Sequence, residues 1–173
     1  MADTRNIYLV GPRASGKTSV GRELARRLGR RFMDTDHELV AMVGAEIAEY
    51  VTRCGWNSFR DREAEVLEHV AAMSNQVVGC GGGLVLRPEN RQLLSGGIVL
   101  YLAVGPDELA RRLSRNPNEA QRPSLTGKSL ADEVAEVLVE RDSLYRECAH
   151  AVLGQASLRA TVNAALEFLE HRA

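Results

Sequence analysis

The chain of 173 residues is 45% hydrophobic and 26% charged, an ordinary globular composition near the ~150 residues of one domain, so a single domain over residues 1–173 is expected. Its 22 Lys and Arg against 23 Asp and Glu give a formal charge of −1, which excludes a global field for gripping nucleic acid or an anionic membrane. Apolar runs such as Ile98 to Val104 fall far short of the ~20 residues of a membrane span, and the N-terminus has no signal-like apolar block; a cytoplasmic monomer is expected. Cys54, Cys80 and Cys148 form no CxxC pair, which predicts three free, mostly buried thiols rather than a disulfide framework or zinc site. His37, His69, His150 and His171 lack ligand spacing and read as structural or surface residues.

In chain order, Asn6 to Val10 reads as a short buried strand. A glycine-containing turn then leads into a helix over Lys17 to Leu28, with Val20, Leu24, Ala25 and Leu28 on one face. A second strand is predicted at Arg31 to Met33, then helical patterns over Asp36 to Val43, Glu46 to Arg53 and Asn57 to Met73. Gln76 to Cys80 and Ile98 to Ala103 are β-branched-rich and bounded by glycine, as central strands buried on both faces are, with a helix over Asn90 to Leu94 between them. Helices at Pro106 to Ser114 and Leu130 to Arg146, a strand near Ala149 to Leu153 and an amphipathic helix over Ser157 to Glu170 complete the pattern. The alternation predicts an α/β fold, a five-stranded parallel sheet covered on both sides with ligands at the strands' carboxyl ends. The polar segment between Ser114 and Ser129, with two prolines and little periodicity, reads as a lid over about residues 114–128.

GPRASGKT, Gly11 to Thr18, matches G-x-x-x-x-G-K-[ST] between a buried strand and an amphipathic helix, the setting in which this motif cradles polyphosphate. ATP is the ligand this implies. Backbone N–H groups of Gly11, Arg13, Ala14, Ser15 and Gly16, with Ser19 following, would line the phosphates. Lys17 would reach the β- and γ-phosphates, and Thr18 would hold Mg²⁺. Ala14 stands where glycine is common, so it must avoid positive φ, or strain of roughly 1 kcal/mol enters the loop.

A regulatory GTPase is excluded, because neither N-K-x-D nor D-x-x-G occurs in the chain. LLSGG, Leu93 to Gly97, is similar to a transporter-ATPase signature but lacks the following Gln and reads as a helix-ending glycine turn. Small-molecule kinases remain, and four segments bear on the acceptor. DTD, Asp34 to Asp36, offers carboxylates to metal-bound water and an acceptor hydroxyl, or serves as a helix N-cap. FRDRE, Phe59 to Glu63, sets Arg60 and Glu63 one turn apart, as a solvated salt bridge or the frame of an anionic ligand. GCGGG, Gly79 to Gly83, allows close backbone approach or is a simple loop. RPSLTG, Arg122 to Gly127, carries Arg122 in the lid, exposed or brought onto the transferring phosphoryl group.

Together with ERDSLYRE, Glu140 to Glu147, these segments resemble shikimate kinase in order and spacing across nearly the whole chain, above all the subgroup with a tryptophan before the FR motif, here Trp56. The resemblance implies a P-loop NTPase fold of the nucleoside-monophosphate-kinase type, with a substrate-binding helical insertion over about residues 35–63 and a mobile lid. It implies transfer of the ATP γ-phosphoryl to the shikimate 3-hydroxyl in chorismate and aromatic amino acid biosynthesis. Asp36 would bind ring hydroxyls and orient or deprotonate the nucleophile, and Asp34 would meet Mg²⁺ through water. Arg60 and Arg141 would hold the shikimate carboxylate, with Glu63 positioning Arg60, and Gly81, Gly82 and Gly83 would contact shikimate and the γ-phosphate. Lys17 and Arg122 would neutralise transition-state charge. Arg13 and Arg112 would lie against adenine, with Arg115 competing for the second place.

Cys80 departs from the Thr or Ser usual before the glycines, which implies that a hydroxyl contact to metal-bound water is lost or weakened. Trp56 reads as core or hinge packing, or as a substrate-responsive position. Two rival readings stay open at this point: another small-molecule kinase such as a gluconate kinase, and a nucleotide-binding regulator without phosphotransfer.

Overall fold

The computed structural model describes residues 3–115 and 127–172. Strands β1 (Ile7–Val10), β2 (Arg31–Asp34), β3 (Gln76–Gly79), β4 (Ile98–Leu102) and β5 (Ala151–Leu153) form one parallel sheet in the order β2-β3-β1-β4-β5. Helices α1 (Lys17–Leu28), α2 (Thr35–Val43), α3 (Ile47–Ala71), α4 (Pro88–Leu94), α5 (Pro106–Arg115), α6 (Leu130–Cys148) and α7 (Leu158–Glu170) connect and cover it. Alternate strand residues leave the sheet on opposite faces. Tyr8 and Val10 join Val66, Leu67 and Val70 of α3 and Tyr145 of α6, whereas Ile7 and Leu9 join Leu24 of α1 and Val162 and Ala165 of α7. The strand order changes direction beside β1, which puts a ligand crevice at the carboxyl ends of β1 and β3.

Local signals set the ends of these elements. Gly29 and Gly44, at φ 64 and 67, close α1 and α2 in the left-handed region, and Ser129 and Ser157 cap α6 and α7 through Asp132 N and Ala160 N. The two helical patterns expected after α2 are two helical segments of α3 that meet at a kink at Gly55, whose φ of 79 and ψ of 166 are open to glycine. The α2–α3 pair is therefore a bent arm between β2 and β3. Buried Asn6 anchors its far end: the side-chain amide donates to Val70 O at 3.2 Å and Met73 O at 2.9 Å and accepts from Gln76 N at 3.0 Å. The last strand starts two residues later than expected, because Ala149 serves as the C-cap of α6.

The cysteines are free, but only Cys80 is buried; Cys148 is half-buried and Cys54 is exposed beside the helix break. The expectation of mostly buried thiols is thus corrected: Cys54 lies exposed next to the kink at Gly55, although Trp56 on its other side packs against the core. His150 is structural, its Nδ1 accepting from Val99 N at 3.0 Å. Among the described residues no helix is long and apolar enough to cross a membrane.

LLSGG is the turn that ends α4, and the need for glycine at its last position is one of space. A Cβ on Gly97 would lie 2.5 Å from Asn6 O and 2.5 Å from a ring carbon of Tyr8, both fixed in the sheet. Gly97→Ala is expected to cost about 2 kcal/mol by overpacking, read as a fall of roughly 4–8 °C in the thermal midpoint; an unchanged midpoint would contradict this packing.

Candidate functional site

The phosphate loop closes over the end of β1. Gly11, Ala14 and Gly16 all have positive φ, 146, 61 and 98, which turns successive peptide N–H groups toward one concavity. The expectation that Ala14 avoids the left-handed region is overturned. The path into α1 requires that conformation there, so the loop carries strain on the order of 1 kcal/mol. Arg112 of α5 donates to Ala14 O at 3.1 Å and to Glu108 at 2.7 Å, bracing the strained residue from outside. Lys17 Nζ donates to Gly11 O at 2.9 Å, Pro12 O at 2.6 Å and buried Ser15 Oγ at 3.3 Å. Arg13, Lys17, Thr18, Ser19, Asp34 and Asp36 share a cavity of about 330 Å³ with Cys80, Gly82 and Arg112. A second cavity of about 180 Å³ adjoins it, walled by Val20, Leu102, Val104 and Leu153 and by the segment Gly154–Gln155–Ala156, with Arg112 lining both. Arg112 and not Arg115 thus reaches the loop: Arg115 is exposed and lines neither cavity.

Asp34 is both things the sequence allowed. Its Oδ1 caps α2, accepting from Asp36 N at 3.0 Å and His37 N at 3.4 Å, while its Oδ2 accepts from Thr18 Oγ1 at 3.0 Å. A hydroxyl and a carboxylate oxygen so placed fit a small hard cation, which takes few protein ligands and completes its shell with phosphate and water. Cys80 contributes no hydroxyl to this wall, and burial pushes its thiol well above the ordinary range.

The glycine run joins the phosphate side to an acceptor side. Gly81 N donates to Thr35 Oγ1 at 2.8 Å, and a Cβ there would lie 2.8 Å from Asp36 Oδ1 and 3.0 Å from Glu63 Oε1. Two carboxylates from α2 and α3 therefore converge on one backbone atom. A Cβ on Gly83 would fall 2.0 Å from an Arg60 terminal nitrogen. Arg60 is ion-paired with Glu63 and lies 5.5 Å over Trp56 and 5.3 Å over Phe59, so Trp56 packs against the Arg60 guanidinium. Glu63 is 4% exposed. Its carboxyl is raised by burial, which the Arg60 guanidinium opposes and Asp36 reinforces, with Arg141 also acting on it. Arg141 of α6 is 7% exposed, and its Nε has no hydrogen-bond partner among the described residues.

Of the residues expected at the site, Lys17, Asp34, Asp36, Arg60, Glu63, Gly81, Gly82, Gly83, Arg112 and Arg141 come together in this way, whereas Arg122 and lid residues 116–126 lie outside the described residues. Sequence reasoning missed Thr35, Tyr145 and the Gly154–Ala156 segment. Tyr145 lay within ERDSLYRE one helical turn after Arg141, a readable signal. The segment after β5 carried none.

The shikimate kinase family model matches residues 13–170. The chain is 49% identical to the shikimate kinase of Nitratidesulfovibrio vulgaris, over 90% of each chain. It is 51% identical to the shikimate kinase 2 of Enterobacter sp. strain 638, over 87% of this chain and 86% of that one. A solved shikimate kinase from Acinetobacter baumannii in complex with shikimate superposes with a TM-score of 0.90 at 37% identity, covering 98% of this chain and 94% of that one.

Because the chain has a single tryptophan packed under Arg60, the fit between Gly83 and that guanidinium can be read optically. Gly83→Ala is expected to displace Arg60, whose long side chain can swing away, to change the emission maximum or intensity of Trp56, and to lower the thermal midpoint because buried Glu63 loses its ion-pair partner. A spectrum identical to the wild type would show that Arg60 does not need the space at Gly83.

Proposed function

Because the chain belongs to the shikimate kinase family, we propose that it transfers the γ-phosphoryl group of ATP to the 3-hydroxyl of shikimate, giving shikimate 3-phosphate and ADP for chorismate and aromatic amino acid biosynthesis. The observation that carries this reading is the convergence of a phosphate loop and a cluster of two guanidiniums and two carboxylates, with Glu63 and Arg141 buried and Asp36 and Arg60 half-buried, at the three glycines after β3.

The acceptor's carboxylate pairs with Arg60 and Arg141, since two planar cations with few competing partners suit a single anion. Glu63, ion-paired with Arg60, keeps that guanidinium aimed. Asp36 accepts the proton of the attacking hydroxyl, and Gly81, Gly82 and Gly83 let the acceptor's ring approach the backbone. ATP lies with its phosphates on the loop from Gly11 to Ser19 and its adenine beside Arg112 in the apolar cavity formed by Leu102, Val104 and the segment after β5. Arg13, which lines the phosphate cavity, supports the nucleotide from the loop side. Thr18, with Asp34 through water, would hold Mg²⁺, which neutralises phosphate charge when bound. Lys17, with Arg122 from the lid, meets the charge that develops on the transferring group, so catalysis here is positioning and electrostatic stabilisation. We read the chain as one monomeric cytoplasmic kinase unit, with residues 35–63 as the acceptor-binding arm and 114–128 as the lid.

A coupled assay for ADP release with shikimate, gluconate and nucleoside monophosphates as acceptors tests the assignment; turnover of another acceptor without turnover of shikimate would overturn it. Arg60→Ala or Arg141→Ala is expected to raise the shikimate KM on the order of 30-fold or more, about 2 kcal/mol, with ATP binding nearly intact. Lys17→Ala or Arg122→Ala instead lowers kcat by roughly 10²–10³-fold. Equal effects on both substrates would contradict the division of roles.

A further inference from the structure

The helix that supplies Arg141 also supplies a phenol that the reaction described above does not use. Tyr145 is 1% exposed and its hydroxyl donates to Gly82 O at 2.6 Å. Arg141 stands one turn earlier on the same face of α6, and its guanidinium charge acts on the same hydroxyl. Gly82 also abuts the phosphate loop: a Cβ there would lie 3.5 Å from Gly11 O, 3.6 Å from Arg13 N and 3.6 Å from the Tyr145 hydroxyl oxygen. The Tyr145 ring is held by Tyr101 at 5.0 Å between centroids and a tilt of 31°, and the Tyr101 hydroxyl is engaged elsewhere, donating to Asp142 Oδ1 at 2.7 Å.

We propose that Tyr145 is a positioning residue for phosphoryl transfer: its hydroxyl, bonded to the Gly82 carbonyl one helical turn from Arg141, pins α6 and with it the acid-binding cation relative to the phosphate loop. This rests on the reading of the site as a shikimate kinase. A donor in this place must keep its proton, and burial, which the nearby Arg141 only partly opposes, pushes the Tyr145 phenol up to about 12. A buried hydrogen-bond partner that holds a ligand-binding group in one orientation is felt in ligand affinity more than in the fold.

Tyr145→Phe keeps the ring against Tyr101 and removes only the hydroxyl. It is expected to raise the shikimate KM by about five- to twenty-fold, leave the ATP KM within about two-fold and shift the thermal midpoint little. In an Arg141→Ala background the same change is expected to move the shikimate KM less than about two-fold, because the group that Tyr145 aims is gone. Tyr101→Phe, which removes a hydroxyl outside this chain of contacts, should leave the shikimate KM unchanged. An unchanged KM in Tyr145→Phe, a parallel rise for both substrates, or effects that multiply in the double variant would overturn the role of Tyr145. A wild-type enzyme that turns over no shikimate would overturn the functional reading beneath it as well.

Discussion

The site depends on three consecutive residues that have no side chains. Space left by Gly81 is taken by Asp36 and Glu63, space left by Gly83 by Arg60, and Gly82 fits between the phosphate loop and Tyr145. Elements far apart in sequence, the loop after β1, the arm between β2 and β3, and α6, can each press a functional group against the same few backbone atoms because nothing projects from them. A parallel sheet brings the ends of β1 and β3 side by side; the glycine run turns that adjacency into contact distance.

Such close approach forces ionisable groups into a poorly hydrated space, where each charge must be matched. Glu63 is the extreme case, its carboxyl penalised by burial and by the like charge of Asp36 while Arg60 and Arg141 pull the other way. Arg60 is itself stabilised by two aromatic faces that demand no water. Arg141, buried with an Nε that lacks a hydrogen-bond partner among the described residues, retains donor capacity that a carboxylate ligand can satisfy. A carboxylate-bearing ligand thus offers the acceptor that this buried donor lacks, which a neutral alkyl group would not.

The strands and most helices were legible because their signals are local: β-branched runs bounded by glycine, 3.6-residue spacing and capping residues. The phosphate loop was legible because its motif occupies fixed positions between a strand and a helix. Arg60 and Arg141 are 81 positions apart in sequence, and only the resemblance to a family paired them, since no periodicity reports the proximity of two helices on the same face of the sheet. Ala14 shows a different limit. Its residue type argued against positive φ, but the path of the loop overrode that preference. Cys54 was expected inside because free cysteine behaves as a small hydrophobe, yet it lies exposed next to the kink at Gly55. The second cavity was invisible because an apolar wall assembled from the ends of β4 and β5 uses residues that read as ordinary core.

The strain at Ala14 also explains how distant helices belong to the nucleotide site. A left-handed alanine persists only where its surroundings hold it there, and here part of that hold comes from α5, through the Arg112 guanidinium on Ala14 O with Glu108 one turn away fixing the same side chain. Arg112 lies between the two cavities and lines both, so the residue that braces the loop also borders the space next to it. Loop geometry and the position of α5 are therefore not independent. A displacement of α5 withdraws the brace from a strained peptide, and a ligand seated on the loop favours the arrangement in which the brace is made.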